Sequence, residues 1–249
     1  MAINTEKNLY TVLFAVVMVI IVGSVLAFLA SGLSDKIKEN ERFEKQQNIL
    51  YAMGVHENEG EGSVNFIPTD RVEEEFSKFI TKQLVINGSE VTEDNEAFLI
   101  DLKKQLAAAK DGVTPKLPVF IGEKEGEKFY ILPMYGKGLW DAIWGFISVN
   151  EEMVVQGVYF DHKAETPGLG ANIKMRYFMD DFIGESILDG NRYAGIAVAK
   201  GNNDPVNEIK DDNEVDALAG ATITGNGVSA MIRESVNLYR SYLETIRQQ

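Results

Sequence analysis

The sequence predicts an α+β protein: a single N-terminal transmembrane helix, then a soluble domain with a mainly antiparallel sheet and flanking helices. Three observations predict it. From Asn8 to Ser34 the chain reads NLYTVLFAVVMVIIVGSVLAFLASGLS, with no charged residue. Between about residues 116 and 200 it breaks into short stretches rich in β-branched and aromatic residues, separated by turn signals. Amphipathic helical patterns lie on both sides of those stretches.

The first element is the apolar run. About 20 apolar residues cross a bilayer as a helix. The run is too long for a cleaved signal peptide, and no convincing Ala-x-Ala site follows it. No cysteine follows either, which excludes lipoprotein processing. A retained, single-pass anchor is expected. Its orientation is contested by charge. Lys7 lies on the short N-terminal flank, whereas Lys36, Lys38, Arg42 and Lys45 follow the run, mixed with Asp35, Glu39, Glu41 and Glu44. Read literally, the positive-inside rule puts the C-terminal side in the cytoplasm, but the rule weakens when a large domain follows the helix.

Asp35 to about Gln47 is charged and expected to be a helical stalk. Asp70-Arg-Val-Glu73 fits a capping box, with Asp70 as cap and Glu73 three residues on. Val72, Phe76, Phe79, Ile80 and Leu84 continue at helical spacing, with Asn87-Gly88 as the stop. A second helix is expected over Asp94 to Lys110, ending at Asp111-Gly112. Strands are expected over Pro118–Gly122, Lys128–Tyr135, Trp144–Asn150, Val154–Asp161 and Ala194–Lys200. Glu123-Lys-Glu-Gly126 and Asn150-Glu-Glu152 serve as hairpin turns between some of them. Met175–Phe182 reads as a short helix. Val228, Ile232, Val236, Tyr239, Leu243 and Ile246 form the apolar stripe of a last one. The expected divisions are 1–35, the transmembrane anchor; 36–115, stalk and helical region; and 116–249, a ligand-binding domain.

Bulk composition excludes several functions. The 249 residues carry 38 acidic against 24 basic side chains, a net charge of -14. Such a surface repels nucleic acid. With no cysteine there are no disulfides, thiolate zinc sites, cysteine-ligated iron–sulfur clusters or c-type haem. His56 and His162 are the only histidines, too few for a multi-histidine metal site. Any redox chemistry must come from an organic cofactor. Walker A, Gly-x-Gly-x-x-Gly and His-Glu-x-x-His sequences are all absent.

Three stretches remain that can carry chemistry. LAGATITGNGV, Leu218 to Val228, runs straight into the last helix. A helix start exposes unpaired N–H groups and a partial positive charge, which hold anions such as phosphate. Gly220, Gly225 and Gly227 permit close approach. Thr222 and Thr224 add hydroxyls, and Thr224 is chemically able to be esterified to a phosphate. The same residues also read as a plain cap and turn. In Tyr135-Gly-Lys-Gly-Leu-Trp-Asp141, Trp140 beside a glycine turn suits stacking on a flat ring, or simply a place in the core. In Glu165-Thr-Pro-Gly-Leu-Gly170, the Thr166 hydroxyl, the backbone amides and Leu169 form either one wall of a cleft or a connecting loop.

Together the three stretches resemble the FMN-binding domain of the C-type component of the bacterial Na⁺-translocating NADH:quinone oxidoreductase. That family's flavinylation motif, Asp-x-x-Ser/Thr-Gly-Ala-Thr-x-Ser/Thr, is matched by Asp216 to Thr224, with Ala219 standing where a hydroxyl residue is usual. The anchor sequence NLYTVLFAVVM, YGKGLWD, ETPGLGANI and the threonine motif occur in the family's order, so the likeness spans nearly the whole chain.

The resemblance implies one FMN held covalently by a phosphoester to Thr224. Thr222 and the amides near Gly225 would hold the phosphate. Leu139 and Trp140 would contact the ring, with Glu165, Thr166, Gly168 and Leu169 opposite, and Lys200 would offset charge on the reduced flavin. It further implies an electron-transfer subunit of a six-subunit complex in the cell inner membrane that oxidises NADH, reduces ubiquinone and moves Na⁺. NADH oxidation and the ion path then belong to partner subunits. The domain is expected on the periplasmic side, where an exported flavin transferase takes FMN from FAD. Two alternatives share parts of this pattern: a G-type component of an Rnf complex, and a non-redox, membrane-tethered binding module.

Overall fold

A single α-helix, α1, runs from Asn8 to Ala52. Its N-terminal part is the uncharged run, long and apolar enough to cross a membrane. The expected stalk is the same helix continued, with no break at Asp35. The computed structural model describes residues 8–60, 62, 64–201, 204 and 207–248. Lys7, the basic residue of the N-terminal flank, lies outside them. Two compact units divide at Phe43/Glu44, so the last turns of α1 belong to the folded domain. There Ile49, Leu50, Tyr51 and Ala52 are buried.

Helix α2, Val72–Phe79, is half the expected length. Arg71 occupies the cap position without a side-chain bond, so Asp70 does not close a capping box. The chain turns extended at Ile80, and β1, Ile80–Asn87, forms where the helical pattern was expected to continue. Two things override the apolar spacing. Ile80, Thr81, Val85 and Ile86 are β-branched. Asn87, expected as a helix stop with Gly88, is instead the last residue of β1, paired with Glu90, and Gly88-Ser89, with Gly88 at φ +64°, forms the hairpin turn into β2, Glu90–Glu93. The second expected helix is also shortened, to α3, Leu102–Lys110, capped by Asp101, whose carboxylate accepts from Lys104 N–H. Only a 3₁₀ turn, Ala97–Leu99, precedes it.

Four of the five expected strands follow: β3, Lys116–Lys124; β4, Glu127–Lys137; β5, Ala142–Val149; and β6, Val155–His162. The fifth contracts to β9, Ala197–Val198, paired in parallel with β10, Glu214–Val215; β7, Leu188–Asp189, and β8, Arg192–Tyr193, make a small hairpin. The main sheet is antiparallel in the order β2-β1-β3-β4-β5-β6, so β1 joins β3 across the expected boundary at residue 115.

Side-chain alternation gives the sheet two covered faces. On one, Gly122 and Gly157 leave room only for Met53 and the Ala52 carbonyl at the end of α1. On the other lie α4, Arg176–Asp180, and α5, Thr222–Arg247. Gly136 faces Met231 of α5, and Phe160 packs against Phe178 and Phe182. The six stripe residues of α5 are all buried, and the Tyr239 hydroxyl donates to the Pro118 carbonyl at 3.1 Å. Helix α5 starts at Thr222, six residues before the first stripe residue.

One buried charge cluster makes this domain pH-sensitive. Glu185 is fully buried; its Oε1 accepts from Asn207 Nδ2 at 2.9 Å, and Oε2 has no partner among the described residues. Burial, partly offset by Asn207 and Lys210 and reinforced by Asp211 and Asp212, pushes its carboxyl up to about 7. Burial pushes Asp181 up to about 6. A raised acid favours the protonated folded state, so stability is full below the unfolded carboxylate range and is lost as pH rises through these values. Tm is expected to fall from about pH 5 to about pH 8. Glu185→Gln, which keeps the acceptor for Asn207, flattens that fall and raises Tm at the alkaline end by a few degrees. Parallel profiles for the two proteins would refute this account.

Candidate functional site

The elbow before α5 is built from free donors. Gly225 N–H makes the first helical bond, to the Ala221 carbonyl at 2.9 Å. The N–H groups of Thr222, Ile223 and Thr224 have no acceptor among the described residues. No side chain caps the helix, so neither threonine nor Asn226 plays the plain capping role that the sequence left open. Three amides and the positive end of a 26-residue helix therefore face one place.

Thr224 does not point into that space. It is 1% exposed, and its hydroxyl donates to Glu165 Oε2 at 2.6 Å. The other carboxylate oxygen, Oε1, accepts from Trp140 N–H at 2.9 Å. The Trp140 indole Nε1–H donates to Thr166 Oγ1 at 3.2 Å. Glu165 N–H donates to His162 Nδ1 at 3.2 Å, which fixes the turn to the end of β6. The three stretches singled out in the sequence thus meet at one buried carboxylate.

Glycines make the meeting possible. A Cβ at Gly138 would lie 2.5 Å from Glu165 Oε1. At Gly170 it would lie 2.5 Å from both Glu165 Oε2 and Thr224 Oγ1. At Gly227 it would lie 2.5 Å from the Lys137 carbonyl, so the helix start seats directly on the end of β4. Gly168, at φ +77°, shapes the Pro167-Gly168 turn, closed by Leu169 N–H to the Thr166 carbonyl at 3.1 Å.

Above this polar floor the surface is apolar. Leu139 is 43% exposed, Trp140 66%, Leu169 42% and Ile223 58%. Leu169 lies over Gly220, where a Cβ would meet its Cδ2 at 2.8 Å. Large exposed apolar side chains beside a cluster of free amides suit a ligand with a flat apolar body and an anionic tail.

Among the expected site residues, the structure joins Trp140, Glu165, Thr166 and Thr224 by hydrogen bonds. Leu139 and Leu169 lie beside them on the rim. Thr222 is exposed, and its side chain has no partner among the described residues. The Gly225 amide is committed to the helix, and what this residue contributes is closeness to Val198, whose Cγ1 would lie 3.0 Å from a Cβ. Lys200 is exposed and makes no hydrogen bond or ion pair to the other site residues. Sequence reasoning passed over Gly138, Gly170, His162 and Ile223. The glycines stood inside the quoted motifs; nothing local marked His162.

Residues 138–237 match the FMN-binding domain family. The C-type component of the Na⁺-translocating NADH-quinone reductase from Vibrio anguillarum is 28% identical over 244 residues, covering 92% of this chain and 90% of that protein. The crystal structure of the corresponding Na⁺-translocating NADH-quinone reductase component from Parabacteroides distasonis superposes with a TM-score of 0.70 at 31% identity, covering 85% of this chain and 96% of that one. NqrC from Shewanella oneidensis shares the fold, with a TM-score of 0.66 at 23% identity. Matches of this length place both the sheet and the elbow in a shared framework. The chain belongs to the NqrC family of the Na⁺-translocating NADH-quinone reductase.

Proposed function

We propose that this chain is the electron-carrying, membrane-anchored NqrC component of a Na⁺-translocating NADH-quinone reductase, with one FMN bound covalently through its phosphate to Thr224. The observation that carries the reading is the convergence of Trp140, Glu165, Thr166 and Thr224 on one cluster, inside the segment that matches the FMN-binding family. The residues present fit the group. The N–H groups of Thr222, Ile223 and Thr224 would receive the phosphate. Trp140, Leu139 and Leu169 would flank the flavin ring, with Glu165, Thr166 and Gly168 behind them. Lys200 would offset negative charge on the reduced ring after a movement of its loop.

Bound FMN supplies one- and two-electron transfer. The chain's own residues do the rest. The Thr224 bond would keep the cofactor from being lost. The indole, tied by its Nε1–H to Thr166, presents a fixed apolar face. Because Thr224 is buried against Gly170, attachment requires the Thr166–Gly170 turn to open. NADH oxidation and Na⁺ passage fall to partner subunits of a six-subunit inner-membrane complex, because this chain has one helix long and apolar enough to span among the described residues. The domain lies on the periplasmic side, where an exported flavin transferase loads it.

One experiment tests attachment and side together. Protease added to intact spheroplasts is expected to release the peptide containing residue 224, heavier by one FMN phosphoryl group. A peptide of unmodified mass from transferase-containing cells would remove the covalent reading. Protection of the peptide until lysis would remove the periplasmic one.

A further inference from the structure

Thr224 is the one hydroxyl of the elbow held by a carboxylate among the described residues, and the hold is tight. Glu165 is 4% exposed. Both of its oxygens act as acceptors, one from the Trp140 amide and one from the Thr224 hydroxyl at 2.6 Å. That length is a short, well-formed O–H···O hydrogen bond. The carboxylate cannot drift, because the backbones of Gly138 and Gly170 close on its two oxygens with no space for a Cβ. A plain structural hydrogen bond does not need a buried negative charge at that point, since a neutral amide accepts a hydroxyl proton as well. Burying a charge is costly unless it is matched.

A threonine hydroxyl is a weak nucleophile until its proton has somewhere to go. We infer that Glu165 is the proton acceptor for the attachment reaction at Thr224, so that the chain carries the base for its own modification. This rests on the reading that Thr224 is the attachment residue. The co-reactant is a flavin dinucleotide, a pyrophosphate ester. Thr224 Oγ1 forms the new bond to the phosphorus on the flavin side. The pyrophosphate P–O bond breaks, and its electron pair leaves on the nucleoside monophosphate. The hydroxyl proton passes to Glu165 Oε2.

The proton then stays useful. An ionised carboxylate 2.6 Å from an ester oxygen, beside a phosphodiester anion, would be repelled. Protonated Glu165 would instead donate to that oxygen, reversing the direction of the hydrogen bond. The titratable neighbours are His162, whose Nδ1 accepts from Glu165 N–H, and the exposed Lys163–Asp141 pair.

The test uses full-length chain purified in detergent from cells lacking the transferase, then incubated with purified flavin transferase and flavin dinucleotide. Flavin incorporation is followed by intact mass and by fluorescence on denaturing gels. Glu165→Gln is expected to slow incorporation by about 100-fold or more. The ratio of wild-type to Glu165→Gln rates is expected to fall toward one at acid pH. Equal rates, or a ratio constant with pH, would overturn the inference and leave attachment at Thr224 intact. A wild-type chain that takes up no flavin would overturn the attachment reading instead. Should Glu165→Gln lower the melting temperature, Glu165→Asp provides the second comparison: it withdraws the carboxylate by one methylene, and an intermediate rate with a wild-type pH profile is expected.

Discussion

Thr224→Ala is expected to eliminate covalent flavin completely, whereas Thr222→Ala, two residues away in the same turn, leaves it in place. The two threonines share a motif and differ in everything the structure adds. Thr222 is exposed at the first helical position, and its side chain makes no cap bond. Thr224 is buried, and its hydroxyl is already held by Glu165. Only Thr224 combines a deprotonating neighbour with position beside the free first-turn amides. The readout is intact mass of each variant from transferase-containing cells, with in-gel fluorescence as a second measure. NADH-quinone reductase activity of membranes should fall to background with Thr224→Ala alone. Thr224→Ala also leaves Glu165 Oε2 without its donor, a loss of about 1–3 kcal/mol. A melting curve therefore accompanies the mass measurement, and Thr224→Ser, which restores the hydroxyl, recovers both. Flavin found on the Thr224→Ala chain, or lost from Thr222→Ala with the fold intact, would move the attachment point.

The second large effect is on folding. Gly145→Ala is expected to destabilise the domain by about 4 kcal/mol or more. Gly145 sits in β5 opposite Phe160 of β6. A Cβ there would lie 1.9 Å from the Tyr159 carbonyl and 3.0 Å from a Phe160 ring carbon. The first contact is backbone inside a ladder, so it cannot be relieved by a rotamer change. Relief would require β5 and β6 to part, and β6 carries both the packing for α4 and the Glu165 turn. Domains of this kind hold about 5–15 kcal/mol in total. The variant should therefore accumulate as aggregate, or melt many degrees lower. Gly126→Ala is the control. Gly126 has φ +85° but no atom within 4 Å of its would-be Cβ, so only backbone strain of about 1–2 kcal/mol is expected. Equal melting temperatures for the two variants would show that the β5–β6 contact is not the constraint.

These two cases mark how far the sequence reaches. The anchor, β3 to β6 and α5 were legible because each rests on a local regularity: an uncharged run, alternation between turn signals, an apolar stripe at helical spacing. The β1 segment was misread because Val72, Phe76, Phe79, Ile80 and Leu84 satisfy the helical period, while the β-branched run and Gly88-Ser89 satisfy a hairpin. The choice between them is made by β3, which supplies the strand partner. No local pattern contains that information. The contraction of Ala194–Lys200 to two paired residues is of the same kind, because its partner β10 lies far along the chain, at Glu214–Val215.

At the site the division is sharper. By itself the sequence determined which stretches matter: a glycine-threonine elbow at a helix start, an aromatic glycine turn and a Pro-Gly loop each carry their chemistry in residues a few positions apart. It also left each with a bland reading, since a cap, a core tryptophan and a connecting loop use the same residues. Tertiary structure alone decided that Glu165, 59 positions before Thr224, receives its hydroxyl, and that Gly138, Gly170 and Gly227 are the gaps through which three separate loops come together. Helix and turn signals arise from neighbours along the chain, whereas a proton acceptor is defined by distance in space, and only the folded sheet sets that distance.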